Sequence, residues 1–324
     1  MEGATNTGKL VGPPAVEGAS ADGGRLPLTA PVGRRRTRDV MRDYLALTKP
    51  RIIVLLLITT VTTMFVADPS GPSLAVILWT MLGGYLAAGG AGAINHFVDR
   101  DRDARMARTC DRPLVTGRIE PRRGLMFGIG LAVGSIVLLA LAVNPVAAAL
   151  ALSGLLGYVF VYTLWLKPLT PQNIVIGGAA GAVPPLVGWA AATGGLTVDA
   201  LYPFAIVFLW TPPHFWALAL LVKDDYERTE VPMLPVARGD AATRRQILVY
   251  SIALVAFTVL PYLTGLFGWP YLVAALAFGA GFVALAADLA QRPSRAGAVR
   301  LHLASLAYLA LLFAAMAADR IALH

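Results

Sequence analysis

The chain has 324 residues, of which 57% are apolar and only 14% charged, and its formal net charge is +8. A charged fraction so far below the roughly 25% of ordinary soluble domains excludes a soluble protein of this length, and the single cysteine, Cys110, excludes an intrachain disulfide or a multi-cysteine metal site. The basic excess lies in loops between apolar runs, which points to anionic lipid and away from nucleic acid.

In chain order, residues 1–43 are rich in Gly, Ala and Pro, show little hydrophobic periodicity and contain Arg34-Arg35-Arg36-Thr37-Arg38. They predict a disordered cytoplasmic tail whose arginines anchor the topology. Residues 44–324 then form one membrane domain. A spanning helix needs about 20 mostly apolar residues. Runs of this kind lie near 52–67, 73–95, 125–143, 146–166, 172–193, 200–222, 246–266, 270–290 and 301–318. With nine spans, 26 of the 27 Lys and Arg fall on one side and only Arg320 on the other. The positive-inside rule places the N-terminus in the cytoplasm and the C-terminus outside. The predicted fold is therefore an all-α integral membrane protein, with nine transmembrane helices around a central cavity open to the cytoplasmic face.

Two cytoplasmic loops, near 95–123 and 223–245, are long and polar, whereas the external loops are short. Long loops in a tight protein tend to carry function. The first opens with Asn95-His96-Phe97-Val98-Asp99-Arg100-Asp101-Arg102-Asp103. Asn95, Asp99 and Asp103 recur every four residues and share one face if the second span continues as helix, while Asp101 points away from them. Three oxygen donors at a helix end suit Mg²⁺, which takes one or two carboxylates and completes its shell with water and phosphate oxygens. Arg108 and Arg112 follow in Arg108-Thr109-Cys110-Asp111-Arg112-Pro113-Leu114-Val115-Thr116-Gly117 and suit a phosphate clamp. Magnesium and arginines around an oxygen anion are the chemistry of a diphosphate.

These motifs resemble the intramembrane prenyltransferase superfamily. The narrower segments Tyr162-Thr163-Leu164-Trp165-Leu166-Lys167, Pro184-Pro185-Leu186-Val187-Gly188-Trp189, Thr211-Pro212-Pro213-His214-Phe215-Trp216 and Val231-Pro232-Met233-Leu234-Pro235-Val236 resemble its protoheme IX farnesyltransferase branch over roughly residues 44–318. The resemblance implies transfer of the farnesyl group of farnesyl diphosphate to the 2-vinyl group of protoheme IX (heme B), with addition of water, to give heme O. It implies one or two Mg²⁺ ions as cofactor, with heme as substrate. It also implies a cell-membrane location, an active site at the cytoplasmic face, and a downstream heme-modifying enzyme as a partner to be tested. The rivals are a related enzyme with another acceptor, such as a quinone precursor, and a transporter.

On that reading Asn95, Asp99 and Asp103 hold metal, and Arg108, Arg112 and Lys167 place positive charge on the leaving diphosphate. The second acidic motif is incomplete, because Asp225 is followed four residues later by Thr229. Asp225 is the expected second metal ligand, with Asp224 and Glu227 as helpers. Tyr158 and Tyr162, one turn apart, are expected beside the reacting carbon. His214, inside the sixth span, is expected at the heme, on its iron or a propionate, with Pro212 and Pro213 opening the helix before it. Gly177, Gly178, Gly181 and Gly188 are expected to let helices pack closely. His302 gives no signal.

Overall fold

The computed structural model of the protein describes residues 36–323. Among them there is no strand, and nine helices are long and apolar enough to cross a membrane. An amphipathic helix α1 (Thr37–Thr48) precedes the first span. The spans are α2 (Pro50–Ala67), α3 (Leu74–Val98), α4 (Pro121–Ala142), α5 (Pro145–Leu169), α6 (Asn173–Thr193), α7 (Val198–Leu221), α8 (Leu234–Leu263), α9 (Trp269–Gln291) and α10 (Arg295–Ala322). Most of the tail predicted over 1–43 lies outside the described residues. Its end does not match the prediction, since residues 37–43 are already helical.

The helix boundaries follow local chemistry. Ser73, Asn144 and Ser294 accept the free N–H groups that open α3, α5 and α10. Prolines stand in the first turns of α2, α4, α5 and α9, where the missing N–H costs nothing. Asp319 near the end of α10 accepts the N–H groups of Gly268 and Tyr271, capping α9 from a distance. Asn144 also donates to the Ala190 carbonyl at 2.8 Å, fastening the start of α5 to the end of α6.

Consecutive spans pack as neighbours, and α10 returns onto α2 to close the ring. Contacts of α2 with α6 and of α7 with α10 reach across it. Gly188 allows one of these crossings, because a Cβ there would collide with the Thr60 carbonyl of α2. Gly177 does the same against the Tyr162 ring, and Gly178 packs on Thr211. Gly181 differs from its expected packing role: nothing stands within 4 Å of where its Cβ would be, and it opens onto a cavity.

Two predicted features change. The second polar loop is mostly helical, formed by a short helix Lys223–Arg228 and by α8, which begins at Leu234 and bends at Gly239 with φ 77°. The arginines there had masked the helix, because hydropathy registers only its lipid-facing part. In α5, residues Gly157–Leu166 form a π-helix, with i→i+5 bonding that sequence periodicity does not announce. It puts Thr163 over Tyr158, whose carbonyl accepts the Thr163 hydroxyl at 2.8 Å.

Candidate active site

The face predicted across Asn95, Asp99 and Asp103 forms. Asp99 ends α3, yet its N–H still reaches the Asn95 carbonyl at 2.9 Å, and the Asp103 N–H reaches Asp99 at 2.8 Å. The helical register thus survives into the short helix Arg100–Asp103. Asp99 and Asp103 are buried, whereas the Asp101 side chain is 86% exposed and meets only Arg100.

Cations crowd this face. Lys167 lies 2.5 Å from Asp99 Oδ2, and Arg102 lies 3.2 Å from Oδ1. Arg112 lies 2.5 Å from Asp103 Oδ2. Asn95 donates to Asp99 at 2.8 Å and to the Thr163 hydroxyl at 3.2 Å, while its own Oδ1 accepts from Lys49 Nζ at 2.6 Å. Burial works to raise the Asp99 pKa, but the Lys167 charge and hydrogen bond, the Asn95 amide and Arg102 outweigh it and hold the carboxyl below its usual range. Burial, then the charges of Arg112 and Lys167, bring the Lys49 ammonium down to about 7. Lys49 adopts left-handed backbone geometry (φ 57°, ψ 54°) between α1 and α2, a conformation that costs a non-glycine residue about 1–2 kcal/mol.

Asp225 is buried and joins the two loops, accepting the N–H of Ala107 at 2.9 Å and that of Arg108 at 3.4 Å. Both its carboxylate oxygens are thereby engaged. Asp224 and Glu227 are the helpers expected beside it. Both are exposed, and Lys223 pairs with Glu227 and Asp240. The Arg108 side chain is exposed as well. Among the described residues no three His, Cys, Asp or Glu side chains converge as a ready-made metal cage. Asp99 and Asp103 nonetheless offer hard oxygen donors of the kind Mg²⁺ shares with phosphate.

An apolar cavity of about 240 Å³ lies between α2, α3, α5 and α6. Leu56, Leu57, Ala91, Gly181 and Val187 contribute to its walls, and Lys49 and Tyr158 lie at its polar end. Along α2 it runs from Lys49 to Thr60, about 16 Å of helix. Tyr158 stacks on Tyr162, with ring centroids 5.5 Å apart.

His214 lies apart from that cavity. It stands on α7, where its partner is not a carbonyl freed by Pro212 or Pro213 but the Ser305 hydroxyl of α10, 2.6 Å from Nδ1. Its ring is sandwiched between Trp210 (centroids 4.2 Å apart) and His302 (4.4 Å).

Sequence reasoning missed Lys49, Thr163 and His302. A lysine before a proline at the head of a span reads as a topology anchor, and only the close packing of the α1–α2 junction on α3 exposes its second role.

The profile of the UbiA prenyltransferase family matches residues 56–317. The chain belongs to this family. A protein named protoheme IX farnesyltransferase from Roseiflexus sp. is 51% identical over 283 residues, which are 87% of this chain and 53% of that one. One of the same name from Alkalilimnicola ehrlichii is 50% identical over 86% of this chain and 92% of its own length. The chain thus spans about half the length of some curated relatives it matches and nearly all of others. Among solved structures, a digeranylgeranylglyceryl phosphate synthase aligns with a TM-score of 0.72 at 19% identity, over 88% of this chain and 99% of that one. A UbiA homolog from Archaeoglobus fulgidus, bound to DMAPP and Mg²⁺, aligns with a TM-score of 0.60 at 17% identity, over 85% and 99%. These likenesses share the fold of this multi-pass membrane protein.

Proposed function

We propose that the protein transfers the farnesyl group of farnesyl diphosphate to the 2-vinyl group of protoheme IX, with addition of water, from a site at the cytoplasmic face of the cell membrane. The observation that carries the diphosphate half is a surplus of positive charge. Lys49, Arg102, Arg112 and Lys167 surround the two carboxylates of Asp99 and Asp103. Such an excess in a secluded site is stabilised by an arriving polyanion. The adjoining apolar cavity suits the isoprenoid tail, and Lys49 borders both chambers. The acceptor half is supported by the relatives named protoheme IX farnesyltransferase.

In the reaction the C1–O bond of the farnesyl diphosphate breaks and diphosphate leaves with the electron pair. The terminal vinyl carbon of the porphyrin bonds to C1. Water then adds at the carbon beside the ring and releases a proton. Lys167 and Arg112 hold fixed positive charge where the leaving group gains its negative charge. Asp99 and Asp103, with Asn95, would hold Mg²⁺, which when bound supplies Lewis-acid neutralisation of the diphosphate. Asp225, accepting the backbone N–H groups of Ala107 and Arg108, acts as the clamp that keeps the Arg108–Arg112 segment over the site, and each of its oxygens keeps a lone pair with which it would hold a second Mg²⁺. Tyr158 lines the polar end of the cavity with Tyr162 stacked on it, so the Tyr158 ring is the aromatic face that would stabilise an allylic cation there.

The test is the heme extracted from membranes of a strain that lacks its own heme farnesyltransferase, with and without this gene. Heme O is expected only with the gene; an unchanged heme profile would count against the reading.

A further inference from the structure

The hydrogen bonds between α7 and α10 decide which ring nitrogens carry protons. Ser305 Oγ lies 2.6 Å from the His302 carbonyl, and a carbonyl only accepts, so the single serine proton is committed there. Ser305 can then only accept from His214 Nδ1, also at 2.6 Å. In the neutral ring His214 is therefore protonated at Nδ1 and bare at Nε2. His302 Nδ1 faces the His214 carbonyl at 3.2 Å, so it too donates from Nδ1. Trp210 closes the network by donating Nε1–H to the Ser305 carbonyl at 2.8 Å. The Trp210–His214–His302 stack, tilted by only 16° and 23°, holds the ring planes.

A bare Nε2 accepts and does not donate. It cannot hydrogen-bond an ionised propionate, which has no proton to give, but it is the form of histidine that ligates a metal, with the opposite nitrogen fixed by a donated hydrogen bond. Resting on the reading of the acceptor as a heme, we propose that His214 Nε2 is an axial ligand to the porphyrin iron and that Ser305 and His302 are positioning residues that hold it in the ligating tautomer. The parallel stack allows only one of the two imidazoles onto a given iron face. His214, with the shorter Nδ1 bond, is the one held for it.

Two probes separate iron ligation from every other porphyrin contact: ferric protoheme IX, and metal-free protoporphyrin IX, which has the same ring and propionates. Each is titrated into the purified full-length protein by absorbance. The wild type should bind ferric heme about tenfold or more tightly than the metal-free ring, with a shift of the Soret band. Ser305→Ala should weaken ferric heme about 10–100-fold, as loss of an outer-shell partner does, and change the Soret position, while leaving protoporphyrin IX affinity unchanged. Ser305→Thr, which keeps the hydroxyl, should restore both. Equal wild-type affinity for the two porphyrins overturns iron ligation without any variant, and so does a Ser305→Ala protein that loses both equally or neither. A wild type that binds neither porphyrin overturns the heme reading itself, and this inference with it.

Discussion

Lys49 Nζ donates to Asn95 Oδ1 across 2.6 Å, tying the left-handed turn before α2 to the acidic end of α3. One residue thus borders both the charged chamber and the apolar cavity. Its pKa of about 7 makes it responsive near neutrality. An arriving diphosphate favours the ammonium form, so binding at pH 8 should take up a proton, whereas at pH 6 the group is already charged and uptake vanishes. Calorimetry with a non-hydrolysable farnesyl diphosphate analogue, in two buffers of different ionisation enthalpy, measures this. Lys49→Met should abolish the uptake and weaken binding about tenfold, close to 1.4 kcal/mol.

The acidic face makes a sharper demand. Asp99→Asn or Asp103→Asn should lower turnover by about 10²–10⁴ with normal insertion, whereas Asp101→Asn, on the exposed side, should be mild. Steady-state rates of the three purified variants decide it. Equal sensitivity of Asp101 would contradict the assignment of roles to this face.

Gly181 tests the tail chamber. Gly181 lines the cavity and nothing occupies the space its Cβ would take, so Gly181→Phe is expected to narrow the cavity. Specificity should move to a shorter chain, with kcat/KM for farnesyl relative to geranyl diphosphate falling at least about tenfold, in line with the 1–3 kcal/mol a hydrophobic pocket can discriminate. An unchanged ratio would place the tail elsewhere.

The distribution of arginine and lysine predicts sidedness. A reporter active only outside the cytoplasm should be silent after Arg118 and Arg238 and active after Gly195. Activity after Arg118 would reverse the topology and move the site to the other face.

Local features of the chain were legible in its sequence. The nine spans are long apolar runs, and the Asn95–Asp103 face was readable because i→i+4 bonding persists through Asp99. What stayed hidden depends on partners far away in the chain. Lys49 meets Asn95 from 46 residues away, and His214 meets Ser305 from 91. No periodicity encodes such meetings. Asp225 illustrates the complementary limit: it was expected as a second metal ligand, but only the structure shows that backbone N–H groups of the first loop engage both of its oxygens. The π-helical stretch in α5 carries no composition signal, yet it brings Thr163 to Asn95.

The central claim is a covalent change to a heme. Purified protein incubated with Mg²⁺, farnesyl diphosphate and protoheme IX should yield a heme heavier by one farnesyl group and one water, read directly by mass spectrometry. An unchanged heme, with prenylation of a hydroxybenzoate or naphthoate under the same conditions, would contradict it.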